Sequence, residues 1–589
     1  MRLVKIHFKT SPSASGLKNP SGDYSISVQK GFEMSCKKLF PFALLVLLTF
    51  FSFSSLLRPG YFPMHDDMQA MRVLQMHKCL LDSQIPCRWV PDMGYGFGYP
   101  QFNYYAPLPY YLMDFFHVSG LSILDSVKVG FIVSVLLSCM GMYLLGRKLW
   151  GPAGGFLSSL FYVYAPYRAL DMYVRGAVGE FWALAFLPLI LWSVIKIFDK
   201  DKKALLWFSL SLAGLFTSHN ITTLMFLPVI FLWIVFLFAK EWKLLKKDFR
   251  NTLFRLVLGF IWGVGFSAFF LLPAWFEKGY VHVETLIQGY FGYLAHFVSL
   301  GQLLFSAYWG FGASELGPYD ELSLSVGLMH WVLPLFSLSL CYILGKKRRL
   351  TLLFFVVLAW LSLFMTHLRS IWLWEHLPFL TYLQFPWRFL SIATFASSCA
   401  VGSLTLLLTK DKKVLTFSLL VILALLFLVN VSYFRPKEWI NIGDSQKFSG
   451  ELWEKQLTIS IFDYLPIYAE KPPAQKAKDK PGFISGNGRI LTGTKGTNWQ
   501  EWEVFVSSDK GILELQTYYF PNWQVLLDGK SVNINHDNKL GLIRVEIPGG
   551  QHFIQARLED TFIRKVSNLI SLMAFLAIPI FFMKLRVQK

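Results

Sequence analysis

The stretch KKLFPFALLVLLTFFSFSSLLRPGYFPMHDDMQAMR, residues 37–72, decides how the rest of the chain is read. Two lysines precede an apolar run over 39–57. Such a run is close to the roughly 20 residues that cross a hydrocarbon layer about 30 Å thick. No small-residue cleavage site follows it, so it reads as a retained anchor and not as a removed signal peptide. Lysines on its near side place the start in the cytoplasm. The acidic pair Asp66-Asp67, flanked by His65 and Arg72, then emerges beyond the span on the outer side.

Outward from this anchor the pattern repeats. Apolar runs cover approximately 39–57, 126–146, 151–166, 180–198, 204–218, 221–239, 254–273, 324–344, 350–366, 388–409, 414–434 and 563–583, which predicts about twelve spans. The chain of 589 residues is 54% hydrophobic and 16% charged, where soluble proteins carry about 25% charged residues. A soluble enzyme and a disulfide-rich secreted module are thereby excluded. The formal charge of +19 is the kind of excess that marks nucleic-acid binders. About half of the 56 Lys and Arg, however, sit in the N-terminus and in short basic segments after every second span, such as KKRR at 346–349. The excess is therefore a topology signal, with both termini cytoplasmic, and no nucleic-acid partner is expected.

This reading predicts a polytopic α-helical membrane protein with an extracytoplasmic β-sandwich near the C-terminus. Residues 1–36 form a loose cytoplasmic tail and 37–434 a transmembrane body with outer loops 58–125 and 274–323. Residues 435–562 form an outer β-rich domain, and 563–589 a final span with a basic tail. The β-rich reading rests on alternating runs such as Trp502/Val504/Val506 and Ile543/Val545/Ile547, after an exposed linker KPPAQKAKDKPG (471–482). Asp528-Gly529 signals a hairpin, and Gly549-Gly550 marks another tight turn. Cys79 and Cys87 share the first outer loop and can form one disulfide in an oxidising compartment. Cys36, Cys139, Cys341 and Cys399 read as packing residues.

Four polar constellations fall on the outer side. Asp66 and Asp67 can supply a general base, ligate a hard cation, or cap the helix that follows. The second outer loop, APYRALDMYVRGAVGEF (165–181), holds Arg168, Asp171, Arg175 and Glu180. The two arginines can clamp a phosphate or pair with the two carboxylates as a structural network. His219-Asn220 occupies a tight turn, where a simple cap is the plain alternative. Arg388, within LQFPWRFL (383–390), sits among aromatics at the expected headgroup level, suited to a lipid phosphate or to snorkelling anchorage. No comparable cluster occurs on the cytoplasmic side, which points to an outward-facing site.

The acidic pair in a long first outer loop, the many spans and the large outer C-terminal segment resemble the GT-C superfamily of membrane glycosyltransferases. The ordered set HDDMQ, RWVPDMGYGFGYPQFNYYAPLPYYL, PYRALDMYVRGAVGE, SHNIT, FPWRF and YYFPNWQVLLDGK is similar to the bacterial YfhO-like membrane proteins, often labelled pyruvoyl-tetrahydropterin-synthase-related. A pterin enzyme of that kind needs a His-based zinc site, and no such spacing is present. The resemblance implies inverting transfer of a sugar from a polyprenyl-phosphate donor to an envelope glycan or lipid acceptor. It implies Asp66 or Asp67 as catalytic base, with His65, Arg72, Arg168, Asp171, Arg175, Glu180, His219 and Arg388 around the substrate. A divalent cation is compatible with the class, but no metal ligands are assigned. The alternatives are a lipid-linked-sugar transporter, or a non-catalytic envelope assembly factor in contact with membrane lipids.

Overall fold

The computed structural model describes residues 42–315, 320–407, 411–461 and 464–587. The predicted tail and Cys36 lie outside them. All twelve apolar runs carry helix, yet only eight of the described helices are both long and apolar enough to cross a membrane. These include α2 (Ile123–Trp150), α3 (Val178–Phe198), α4 (Asn220–Leu245) and α5 (Phe249–Phe276), preceded by a non-spanning helix α1 (Gln69–Leu81). Then come α6 (Lys346–Thr366), α7 (Leu390–Val401) and α8 (Lys412–Asn430). The shorter α9 (Gly450–Ile459) and the closing α10 (Phe562–Val587) complete the series.

The prediction of twelve spans is corrected by the length of three runs. Ala204–Phe216 and Leu328–Tyr342 are shorter apolar helices, and the run at 151–166 yields only Pro152–Val163; of the first run, Phe42–Leu57 falls within the described residues. A helix of twelve or thirteen residues, rising 1.5 Å per residue, covers about 18–20 Å of the roughly 30 Å required. Helix breakers set these lengths. Gly151 and the extended Ala165 before Pro166 bracket one helix, and the turn Thr217–His219 ends another. Small residues let neighbours approach closely: a Cβ on Gly155 would lie 2.6 Å from the Arg147 amide nitrogen, so α2 and the following helix touch backbone to backbone.

The expected sandwich is instead one antiparallel sheet. Strands β1 (Gly482–Ser485), β2 (Gly488–Lys495), β3 (Trp499–Tyr518), β4 (Trp523–Leu527), β5 (Lys530–Val532) and β6 (Leu542–Leu558) pair in the order β1-β3-β6-β4-β5, with β2 also on β3. The Asp528-Gly529 hairpin joins β4 to β5, with Leu527 opposite Lys530. Gly549-Gly550 is not a turn. It lies inside β6, where the register against β3 slips between Val506 and Lys510, so two predicted short strands merge into one long one across a bulge. The described residues of 435–481, read as part of the β-rich segment, hold short helices including α9 and no named strand.

A second sheet is unnecessary because the first loop covers the apolar face. Trp502, Val504, Leu513, Leu515 and Ile547 form one core with Trp89, Phe97 and Tyr104. The Trp89 ring stands edge-on to Trp523, 5.7 Å between centroids. A buried polar knot also ties loop, sheet and helices together. Glu277, after α5, accepts from Asn103 Nδ2 at 2.9 Å, Thr561 Oγ1 at 2.6 Å and Arg564 Nε at 2.9 Å. Sheet and helices belong to a single compact unit, Thr49–Lys589.

Candidate functional site

The acidic loop is held by backbone pairing with the turn that carries Arg175. The amides of His65 and Asp66 donate to the carbonyls of Val174 and Arg175, each at 2.9 Å. Gln69 Nε2 donates to the Gly176 carbonyl at 2.8 Å. Gly176 has φ +64°, and a Cβ there would lie 2.2 Å from Met64 Sδ, so both its conformation and its space demand glycine. Two segments a hundred residues apart thus become one surface.

That surface borders a cavity of about 920 Å³. His65, Asp66 and Arg72 line it from the first loop and α1, and Arg175 and Glu180 from the second loop. His219 lines it from the cap of α4, and Arg388 from the turn before α7. All four constellations of the sequence analysis therefore meet in one place. Asp67, Arg168 and Asp171 do not line it.

Asp66 and Asp67 have different surroundings. Asp66 Oδ2 accepts from Gln69 Nε2 at 2.7 Å and Arg72 Nη1 at 2.8 Å. Its Oδ1 has no hydrogen-bond partner among the described residues, and its side chain is 35% exposed. Asp67 turns away to Lys447 Nζ at 2.6 Å, and its Oδ1 is buried without a partner among the described residues. Burial holds the Asp67 carboxyl above its ordinary range, although Lys447 pulls it down. Neither aspartate caps α1, whose flanking residue Met68 makes no side-chain cap.

Arg168, offered as a phosphate clamp, is buried among the helices. It donates to Ser138 Oγ at 2.8 Å and lies 3.8 Å from the Phe181 ring centroid. Asp171 is buried as a partner of Arg175, which also donates to Glu180 Oε2 at 2.9 Å and stacks on Trp387 at 4.5 Å. The network reading of the second loop thus describes the arrangement of Asp171, Arg175 and Glu180. Tyr167 completes it by donating to Glu180 Oε1 at 2.5 Å.

Arg388 is less fully paired. Its Nη1 donates to the Leu383 carbonyl and to Gln384 Oε1, both at 2.8 Å. Its Nε, 3.7 Å from Glu180 Oε2, is buried without a hydrogen-bond partner among the described residues. His219 Nδ1 pairs with Thr222 Oγ1 at 2.6 Å. Burial, and then the Arg388 charge, push this imidazole down to about 3, so it is neutral near pH 7.

Sequence reasoning missed the aromatic wall and the residue that positions Arg388. Tyr290, Phe291 and Tyr382 also line the cavity. They come from loops whose sequence carries no charge pattern. Gln384 adopts φ +64°, rare for a non-glycine residue, and its Nε2 donates to the Leu286 carbonyl at 2.6 Å. Among the described residues no group of three or more His, Cys, Asp or Glu side chains comes together in a way that could hold a metal ion.

Residues 102–436 match the family described as 6-pyruvoyl-tetrahydropterin synthase related domain, membrane protein. The chain belongs to this family. An uncharacterized protein of Lactococcus lactis subsp. cremoris (strain MG1363) is 28% identical over 211 residues, which is 34% of either chain. The chain thus spans about a third of the length of that relative. Solved structures with similar folds include the mycobacterial arabinofuranosyltransferase AftD (TM-score 0.44, 14% identity, 70% of this chain and 28% of that one). Another is ArnT of Cupriavidus metallidurans bound to undecaprenyl phosphate (0.41, 12%, 67% and 64%). A third is the apo oligosaccharyltransferase of Archaeoglobus fulgidus (0.40, 12%, 75% and 60%).

Proposed function

We propose that this multi-pass membrane protein transfers a sugar from a polyprenyl-phosphate donor to a hydroxyl of an envelope acceptor at the extracytoplasmic side. The observation that carries this reading is a single cavity lined both by a carboxylate with one oxygen unpaired among the described residues and by a guanidinium incompletely paired among them. Asp66 acts as general base. Gln69 and Arg72 hold Oδ2, leaving Oδ1 to take the proton of the attacking hydroxyl. The acceptor oxygen forms a bond to the anomeric carbon as the bond to the donor phosphate breaks, inverting that carbon. Negative charge grows on the departing phosphate oxygen, and Arg388, with Arg175 behind Glu180, stabilises it. The aromatic wall supplies flat faces for a sugar ring or the first prenyl unit. His219, being neutral, hydrogen-bonds without adding charge.

The test is transfer by the full-length protein in nanodiscs, supplied with a panel of polyprenyl-phosphate sugars and an envelope extract as acceptor. Product is expected with at least one donor, and Asp66→Asn should lower its rate by roughly 10²–10⁴-fold. No product from any donor, or an unchanged rate in Asp66→Asn, overturns the reading.

A further inference from the structure

The helix ends away from the cavity carry a positive charge that nothing beside them offsets. α4 starts at the His219 cap, which lines the cavity, and runs 26 residues, about 39 Å, to Leu245. Two segments meet there: Lys240 to Arg250, across the turn into α5, and Lys346 to Arg349, the first turn of α6. Together they hold nine Lys and Arg against two acids, Glu241 and Asp248. The segments touch. Lys240 Nζ donates to Thr351 Oγ1 at 3.1 Å, and the Phe236 and Phe354 rings lie 4.7 Å apart.

Both acids are already taken. Glu241 Oε2 accepts from Lys347 Nζ at 2.5 Å, and its Oε1 lies 3.9 Å from Lys240 Nζ. Asp248 pairs with Lys200, a cation from outside the two segments. The neighbouring pairs Lys148–Asp199 and Lys196–Asp201 are balanced within themselves. The other seven cations of the two segments are exposed and have no carboxylate within 4.0 Å among the described residues.

Neither local folding nor span orientation calls for this arrangement. The first turn of α6 holds four cations, no acid and no side-chain cap, at the helix end where the dipole is positive and disfavours cations. Orientation is served by Lys and Arg anywhere within about 15–20 residues of a span end. Trp242, Leu244, Tyr342 and Ile343 are exposed beside the cations, and Trp and Tyr favour the boundary between acyl chains and headgroups. The phosphates of a bilayer lie at that level.

We propose that this surface binds anionic phospholipid headgroups, whose phosphates seat between the α4–α5 turn and the first turn of α6. A cluster of about four to eight Lys and Arg directly beside a spanning helix concentrates anionic lipid, and here seven are uncancelled. This binding is independent of sugar transfer.

The test is lipid retention by the full-length protein. The protein is reconstituted in vesicles of equal phosphatidylcholine and phosphatidylglycerol, extracted in mild detergent and weighed with its bound lipid by native mass spectrometry. Phosphatidylglycerol should be at least threefold enriched among the retained lipids, and less so when salt is raised before extraction. Lys243→Gln/Lys246→Gln/Lys247→Gln, and separately Arg348→Gln/Arg349→Gln, should each cut the enrichment at least by half. Neither should lower the melting midpoint, because these side chains are exposed. Removing three cations from the exposed segment before β1, in Lys471→Gln/Lys478→Gln/Lys480→Gln, should leave the enrichment intact. Retention in the ratio of the vesicle, undiminished enrichment in both patch variants, or an equal loss in the variant before β1 overturns the proposal. Displacement of the retained lipid by a DNA duplex overturns it in favour of a nucleic-acid surface.

Discussion

The division of labour between the adjacent aspartates can be forced apart by mutation. Asp67 joins Lys447, whose side chain is 4% exposed, while Asp67 itself is 30% exposed. Breaking a fully buried ion pair from one side costs about 3–5 kcal/mol, and the partial exposure of Asp67 reduces that. Asp67→Asn keeps one oxygen for the Lys447 ammonium but removes the charge. The expected cost is about 1–3 kcal/mol, the range for losing a charged hydrogen bond. Lys447→Met instead leaves a carboxyl that burial already holds above the ordinary carboxylate range and that has lost its main stabilising cation. A carboxyl raised in the folded state contributes stability below the unfolded value, and that contribution is lost as pH rises through the folded value. Lys447→Met should therefore melt closer to wild type at pH 4 than at pH 8. The double variant should cost about 1–2 kcal/mol less than the sum of the singles. Thermal melts in nanodiscs read this, and transfer assays on the same samples complete it. Asp67→Asn is expected to keep its rate within about tenfold, because the Asp66 loop is also pinned by the Val174 and Arg175 carbonyls, whereas a lost base costs about 10²–10⁴-fold. Asp67→Asn that melts like wild type yet abolishes transfer, beside an Asp66→Asn that still transfers, would refute the assignment.

Three further outcomes are expected. Arg388→Lys should lower transfer by roughly 10–100-fold, with the protein still folded, because an ammonium cannot reproduce a planar guanidinium held by the Leu383 carbonyl and Gln384; kinetics with varied donor concentration check it. Removing the Cys79–Cys87 disulfide, which closes a separation of eight residues, with a paired Cys→Ser change should cost about 2–3 kcal/mol and lower the melting midpoint; reductant should then leave the variant's midpoint unchanged while lowering that of the wild type toward it. His219, down at about 3, does not titrate between pH 5 and 8, so His219→Gln should leave the shape of the pH–rate profile over that range unaltered.

The parts legible in the sequence are those in which a local rule and the tertiary structure agree. Lys-flanked apolar runs become helices because lipid leaves the backbone no alternative partner, and Asp528-Gly529 turns because the two-residue hairpin demands it. Length defeats the span count at 151–166 and 204–218, where Pro166 and the His219 cap end helices that hydropathy extends. The sandwich fails for a reason no strand pattern contains: the partner of the sheet is an irregular loop, and Trp89, Phe97 and Tyr104 look like any interfacial aromatics until the sheet lies on them. The site follows the same logic. Charge near hydrocarbon marks Asp66, Arg175, Glu180 and Arg388, since an intramembrane or edge charge has to be held by something. Composition cannot say which charge is consumed by its neighbours. Arg168 and Arg175 stand seven residues apart in one motif, yet one is buried against Phe181 and the other reaches the cavity. The turn at Asp171–Arg175 produces that difference, because it widens into a π-helical turn and rotates the second arginine away from the first. Asp66 and Asp67 separate in the same way. Adjacent residues in a turn point to different sides, so one acid meets Lys447 and the other keeps an oxygen open to the cavity. A pair that reads as two equivalent carboxylates is thus one base candidate and one anchor.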